Sequence, residues 1–422
     1  MNSPQMKKIA FLSTLDSNLY LFRLPIMREL VSQGYTVYSI CPKGKYESFF
    51  TKEGITPLHY PLSRKSLNPF RELSSIWHIY QLCKTHKFDI LNSFMLKPNI
   101  YASCCVPFVG KTKLICTITG LGSLYSDNRL KFRIVRTFSE ICYRASFSVA
   151  KSVIFQNKDD LALFTQKQIL PKAKATLIRS SGIDTQAFHP KNINKEIVQK
   201  LKKDLQIHKE QVIVLLIARL IIHKGIQEYI ASATILKAKY KKVRFFLVGG
   251  LDEGNYFGIN PELLKNTNIE YLGEQSSIQE IISLCDIFTL PSYYREGIPR
   301  TLLEATAMGK PIVTTNHIGC KEAVKDNHNG ILVKKADATS LTVALEKLIL
   351  DKPLRQRLGE NSLEYVKQFD IHRVVKKYIL LYKKAMNQKT KNHYLSIKYF
   401  LDKVLALVLL LILSPALLIV SV

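Results

Sequence analysis

Acidic residues are scarce in this chain. Against 61 Lys+Arg it carries only 33 Asp+Glu, a formal net charge of +28 over 422 residues. The imbalance predicts attraction to polyanions: nucleic acid, anionic lipid or diphosphate substrates. Nucleic acid is disfavoured among these, because the cations are dispersed and no nucleic-acid-binding motif is present. Metal-ligand and disulfide patterns are missing too. Of eight cysteines, Cys104 and Cys105 are adjacent, the rest are scattered, and no pair has CxxC spacing. This predicts buried thiols in a reducing cytosol and no metal site. The opening "MNSPQMKKIAFLSTLDS" starts basic, but its apolar run is shorter than a signal-peptide core and fits a buried first strand. No short internal repeat is visible.

What is present places the chain among globular proteins. Apolar residues make up 47%, which excludes wholesale disorder. A length of 422 residues exceeds one hydrophobic core and predicts two or more domains. One long apolar run stands out, the 19 residues "VLALVLLLILSPALLIVSV" from Val404 to Val422. A straight helix of that length spans about 28 Å, close to the bilayer core of about 30 Å. Ser414-Pro415 interrupts it, so re-entrant and spanning helices both remain open. Lys398 and Lys403 flank the run, and positive flanks stay cytoplasmic. The expectation is membrane attachment rather than a core helix.

The first half alternates strand and helix signals. "KKIAFLS" reads as a strand, "LFRLPIMRELVSQG" as a helix closed by Gly34, and "YTVYSIC" as the next strand. "FDILNSF", "KLICTIT" and "SVIFQN" continue the series, with helical segments such as "PFRELSSIWHIYQLCKTH" between them. A turn-rich junction, "SSGIDTQAFHP", then precedes a second series: "QVIVLLIA", "VRFFLVGG", "NIEYLG", "IFTLP" and "PIVTT". The expected fold is α/β, two doubly wound Rossmann-like domains facing a cleft at the carboxyl ends of their strands. The domains are read as 1–190 and 191–375, then a closing helix and basic linker over 376–398 and a membrane-inserted helix over 399–422.

Arg219 and Lys224, in "VLLIARLIIHKGIQEYI", fall at the carboxyl end of a strand beside the flexible Gly225. Two fixed cations there suit a nucleotide diphosphate and its developing charge as a leaving group. "IFTLPSYYREGIPRTLLEATAMG" is a strand, a loop and a helix in which Pro299 suits the first turn and Gly309 marks the stop. Glu296 lies in the loop and Glu304 in the helix. Acceptor-only carboxylates suit ribose or hexose hydroxyls, while the competing reading is a dipole-favouring acid and a solvated helix face. His223 sits between the two cations and could touch phosphate, but it reads rather as an exposed loop histidine. Ser17, Tyr20 and Arg23 follow the first strand and could meet an acceptor, Arg23 as the cation for a lipid diphosphate. "KFRIVRTFSEICYRASFSVAK" mixes cations with Phe138, Ile141 and Cys142 at helical spacing, and fits either a packed helix or a membrane-surface helix.

The two glutamates seven residues apart, with "LLEATAMGKPIV" after them, resemble the signature of the retaining family-four glycosyltransferases of GT-B fold. "ARLIIHKG" is similar to that family's arginine–lysine diphosphate motif, and "SSGIDTQAFHP" to its interdomain segment, with Ser181 where Asn is usual. "GCKEAVKDNHNGILV" resembles the region that follows, so the likeness covers nearly all of residues 6–388. "SNLYLFRLPI", "RKSLNPF", "GLGSLYSD" and "PSYYREGIP" are similar to the narrower group of N-acetylgalactosaminyltransferases of bacterial protein glycosylation.

The resemblance implies a hexosyltransferase that uses UDP-GalNAc, retains configuration at the anomeric carbon and needs no metal or other cofactor. Its acceptor is an undecaprenyl-diphosphate-linked, bacillosamine-type sugar at the cytoplasmic face of the inner membrane, with the anionic membrane surface as a further partner. Related enzymes of O-antigen and capsule assembly, using UDP-GlcNAc or another UDP-hexose, share similar stretches. A UDP-sugar epimerase and an inactive lipid-binding adaptor are the rival classes. Carried over, Arg219 and Lys224 form the diphosphate clamp, Glu304 binds ribose, Glu296 lies against the donor hexose, and Gly297 and Ile298 offer backbone N–H groups. The first domain takes the acceptor and the second the nucleotide sugar. Thr119-Gly120 stands at the acceptor side where many relatives have a histidine before the glycine. The tail "IKYFLDKVLALVLLLILSPALLIVSV" resembles the start of the monotopic phosphoglycosyl transferases without their catalytic Asp-Glu pair, so it is read as an anchor and the stump of a bifunctional protein.

Overall fold

The computed structural model describes residues 6–62, 68–127, 129–252 and 257–388. The expected membrane helix over 399–422 and its linker from 389 lie outside the described residues. Among the described residues no helix is long and apolar enough to cross a membrane. Two compact units are present. Among the described residues, unit one holds those up to Gly120, residues 129–178 and residues 374–388; unit two holds Leu121–Asp127 and those within Arg179–Arg373. The expected break after residue 190 therefore lies inside unit two, and the last helix belongs to unit one.

Unit one is a seven-stranded parallel sheet. Its strands are β1 (Lys8–Leu12), β2 (Thr36–Ile40), β3 (Ile55–Leu58), β4 (Ile90–Phe94), β5 (Lys113–Ile118), β6 (Ser152–Phe155) and β7 (Ala175–Leu177), in the order β3-β2-β1-β4-β5-β6-β7. Central strands such as "KIAFL" and "ILNSF" are almost wholly buried, because helices cover both faces of a parallel sheet. β3 carries Pro57, which cannot donate to a ladder, and it occupies the edge where that donor is not needed. Helices α1 (Asp16–Ser32), α2 (Glu47–Lys52), α3 (Pro69–His86), α4 (Leu96–Cys105), α6 (Leu130–Val149) and α7 (Lys158–Gln166) connect the strands; α5 (Ser123–Ser126) lies in the segment that belongs to unit two. α1 starts at Asp16, earlier than the apolar period beginning at Leu21, and runs through Pro25.

Unit two is a six-stranded parallel sheet. Its strands are β8 (Val212–Ile217), β9 (Val243–Val248), β10 (Glu270–Tyr271), β11 (Ile287–Leu290), β12 (Ile312–Thr315) and β13 (Gly330–Val333), ordered β10-β9-β8-β11-β12-β13. Its helices are α8 (Lys195–Asp204), α9 (Ile226–Lys239), α10 (Ile278–Leu284), α11 (Arg300–Ala307), α12 (Cys320–Ala323), α13 (Ala338–Leu350) and α14 (Lys352–Tyr365). In each sheet the order reverses beside the first strand, at β1/β4 and at β8/β11, and the loops leaving those strands diverge to leave room for a ligand.

The last helix, α15 (Ile371–Asn387), docks on unit one from Val374. Tyr382 is fully buried edge-on to Phe11, ring centres 6.2 Å apart, and its hydroxyl donates to Asn92 Oδ1 at 2.6 Å. Asn92 in turn donates to Ile115 O and Thr117 Oγ1, both at 2.9 Å, so this buried polar chain is satisfied inside the sheet. Lys113 Nζ donates to the carbonyls of Met386 and Gln388, where a cation favours the helix end.

All eight cysteines are free, and every one except the half-buried Cys104 is buried. Burial pushes the thiols of Cys41, Cys83, Cys104, Cys116, Cys142, Cys285 and Cys320 up to about 12, and that of Cys105 well above its ordinary value. Since the thiolate is the nucleophile, iodoacetamide at neutral pH should leave the seven buried thiols unlabelled until denaturant is added. Rapid native labelling of any of them, read by mass spectrometry, would contradict this packing.

Candidate active site

The candidate centre lies in unit two, where the chain leaves the adjacent strands β8 and β11. Arg219, two residues beyond β8, reaches Asp252 beyond the neighbouring β9. Its side chain is 46% exposed, so the pair is solvent-screened and contributes about 1 kcal/mol at most. Its guanidinium carbon sits 5.9 Å from the centre of the Tyr294 ring.

Lys224 is held quite differently. It ends a single 3-10 turn, Ile222–Lys224, which Gly225 terminates at φ 78°. A Cβ on Gly225 would fall 2.2 Å from the Pro291 carbonyl oxygen, so only glycine lets this turn lie against the end of β11. The side chain of Lys224 is 8% exposed, and its ammonium is 2.5 Å from Glu296 Oε1. Ser292 Oγ also donates to that oxygen, at 3.4 Å. The ring of Tyr294 stands 5.5 Å from the ammonium, so Lys224 and Arg219 both neighbour this one ring.

Three further contacts fix the Glu296 loop. Gly319, before α12, has φ 83°, and a Cβ there would meet Gly297 O at 2.1 Å and Glu296 O at 2.6 Å. The His223 carbonyl accepts from the N–H groups of Tyr293 and Tyr294 at 2.8 and 3.1 Å. From Leu121–Asp127, Gly122 N–H donates to Arg295 O at 2.6 Å, and Arg295 N–H donates to Ser126 Oγ at 2.9 Å. The expected exposed loop histidine is corrected here. His223 is buried, edge-on to Phe257 at 4.3 Å and Tyr293 at 5.4 Å, because its turn is packed under the loop it supports.

Gly297 and Ile298 lead into α11, whose cap position is Pro299 and whose first residue is Arg300. Glu304 lies one turn on. It is 6% exposed and accepts from Arg300 Nε at 2.7 Å. Burial raises its carboxyl above the ordinary range, and Arg300 offsets part of that rise. It is thus not a solvated face residue. Tyr294, Asp252, Ser292 and Gly319 were not singled out by pattern. Their roles arise from strand neighbours and loop contact, although the glycines in "HIGCKEAV" and "VGGLDEG" mark the places.

The expected acceptor residues lie in unit one. Ser17 and Tyr20 occupy the first turns of α1, at the carboxyl end of β1. The Tyr20 ring stacks on Tyr46 at 4.2 Å and lies 5.2 Å from Phe49. Thr119 and Gly120 follow β5, and because β4 lies between, they stand roughly 10 Å from the β1 group. Arg23 does not join either group. It is 3% exposed, with its guanidinium 4.5 Å over the Phe94 ring, and Tyr378 and Tyr382 of α15 lie beside it. Burial lowers its pKa. The covering helix, distant in sequence, turns this expected ligand cation into a packing cation.

Two family profiles match the chain, "Glycosyl transferase 4-like" over residues 8–157 and "Glycosyl transferases group 1" over residues 198–365. The sequence is 34% identical over 379 residues to N,N'-diacetylbacillosaminyl-diphospho-undecaprenol alpha-1,3-N-acetylgalactosaminyltransferase of Campylobacter jejuni, covering 90% of this chain and 99% of that protein. Among solved structures, a glycosyltransferase from Rickettsia africae matches with TM-score 0.75 at 21% identity, covering 92% of this chain and 100% of the other. Anabaena HepE in complex with UDP and glucose matches with TM-score 0.71 at 18% identity, covering 90% and 100%.

Two outcomes test the local geometry. A raised carboxyl favours folding fully below the unfolded pKa of about 4.3, and that contribution is lost as pH rises through the folded value. Glu304→Gln should therefore match wild-type thermal stability near pH 4 and exceed it at neutral pH; a lower neutral Tm would show that the Arg300 pair outweighs desolvation. Gly319→Ala should keep the fold but displace the Glu296 loop and raise the donor KM at least tenfold, as steady-state kinetics would show.

Proposed function

Because this chain belongs to the family-four glycosyltransferases of GT-B fold, we propose that it transfers N-acetylgalactosamine from UDP-GalNAc to an undecaprenyl-diphosphate-linked, bacillosamine-type sugar. The observation that carries the donor half is the buried Lys224–Glu296 pair, set on adjacent loops beside Arg219. The acceptor half is supported by the Campylobacter jejuni relative, whose name states that acceptor class.

On this reading the donor diphosphate takes Lys224 from Glu296 and is clamped between Lys224 and Arg219. Glu296, released, accepts hydrogen bonds from hexose hydroxyls, which a carboxylate is built to do. Gly297 and Ile298 offer backbone N–H groups ahead of α11, and Glu304 receives the ribose diol. The bond between the anomeric carbon and the β-phosphate oxygen breaks, and an acceptor hydroxyl bonds the same face of that carbon. Its proton passes to the departing phosphate oxygen, so no protein base is required and configuration is retained. Stabilising UDP then dominates, and each well-placed donor supplies about 3 kcal/mol. Ser17, Tyr20, Thr119 and Gly120 are the acceptor-side candidates, and the work is done at the cytoplasmic face of the inner membrane, with no metal.

The test is a transfer assay with detergent-solubilised protein, offering UDP-GalNAc, UDP-GlcNAc and UDP-glucose against undecaprenyl-diphosphate-bacillosamine. Transfer from UDP-GalNAc is expected, with Lys224→Ala and Glu304→Ala each slowed by about 10²–10³-fold at intact fold. Wild-type turnover in Lys224→Ala would sink the site assignment. Epimerisation without acceptor, or donor binding without turnover, would replace the transferase by one of its rivals.

A further inference from the structure

Burial of Arg23 beside Tyr378 and Tyr382 removes the cation expected to meet the acceptor diphosphate. An acceptor of that kind still needs positive charge at the carboxyl edge of unit one's sheet. The structure supplies it one strand away. Residues 41–46, "CPKGKY", join β2 to α2 and leave the sheet at the same edge as the turn that carries Ser17. Lys43 and Lys45 stand in this connection, both exposed, with one glycine between them. Among the described residues neither forms an ion pair.

The connection is fastened to α1. Asp16, the first residue of that helix, accepts from Tyr46 N–H at 2.9 Å through Oδ2 and from Ser17 N–H at 2.7 Å through Oδ1. A Cβ on Gly44 would fall 2.1 Å from the same Oδ2, so glycine is what admits the carboxylate. The Tyr46 ring stacks on Tyr20, and Lys45 Nζ lies 5.1 Å from the centre of the Tyr46 ring. The acids nearby have other partners. Asp16 serves the two amides, and Glu47 Oε1 stands 3.3 Å from His59 Nε2. The other nitrogen of His59, Nδ1, lies 3.1 Å from the Cys41 carbonyl oxygen, which keeps the imidazole beside Glu47. Two exposed ammonium groups are left over, on a backbone braced against the helix that carries Ser17 and Tyr20.

We propose that Lys43 and Lys45 are the cations that bind the acceptor's diphosphate, on a turn that Asp16, Gly44 and Tyr46 preorganise. This rests on the polyprenyl-diphosphate acceptor reading and locates the charged part of that acceptor next to Ser17 and Tyr20. Each ammonium meets one phosphoryl group as a compact point charge, a role that asks for no fixed plane such as a guanidinium brings.

The probe is geranyl diphosphate, short enough to stay in solution, with geraniol as its uncharged control. Binding to the detergent-solubilised full chain would be read by calorimetry, with the donor site saturated by UDP. Wild type should bind the diphosphate at least tenfold more tightly than the alcohol. Lys43→Gln/Lys45→Gln should weaken the diphosphate at least tenfold while UDP binds as it does to wild type. Gly44→Ala keeps both cations but displaces the Asp16 carboxylate, and it should weaken the diphosphate at least threefold. No selective binding by wild type, or wild-type diphosphate affinity in either variant, would overturn the proposal. In the transfer assay the double variant should raise the acceptor KM at least tenfold. Selective diphosphate binding without any sugar transfer would leave this turn standing and sink the proposed function; transfer with an unchanged acceptor KM in the double variant would do the reverse.

Discussion

Direct parallel pairing of β11 with β8 is the constraint on which the candidate centre depends. Strands that neighbour each other release their loops at the same edge, so a residue just beyond β8 can meet one just beyond β11 despite the distance between them in sequence. Lys224 and Glu296 meet for that reason. Their close approach also needs two backbone accommodations, the left-handed Gly225 against Pro291 and Gly319 against the Glu296–Gly297 carbonyls. A Cβ at either point would occupy space that backbone oxygen already holds.

The pair solves an electrostatic difficulty. A lysine removed from water carries a desolvation cost of several kcal/mol unless a partner compensates it. Glu296 supplies that compensation and fixes the ammonium in one position, while the neighbouring Arg219 stays half-exposed against Asp252. One cation is rigid and dry, the other reachable and wet.

Much of this was legible beforehand. The long apolar runs named the central strands of both sheets, because a parallel sheet buried on both faces leaves an unbroken hydrophobic signature. Three short strands, β3, β7 and β13, escaped notice; each lies at an edge, where burial is partial and the signature is weak. Gly225 was readable as a flexible point, since it sits at a strand-to-helix turn. Gly319 was not, because its reason is a contact with a loop elsewhere in the chain. Arg23 shows the same limit from the other side. Its position after β1 suggested a ligand contact, and nothing local announces that two tyrosines from the last helix will cover it.

That last helix has a consequence for how the protein is made. Unit one owns both the beginning of the described chain and α15, so all of Arg179–Arg373 is in effect inserted within it. Residues 8–177 leave the ribosome before the helix that completes their core exists, with Asn92 and Arg23 awaiting Tyr382 and Tyr378. The inserted unit has all its elements available before unit one has its last helix. Synthesis therefore reverses the usual amino-to-carboxyl order of domain completion. The half that begins first must finish last.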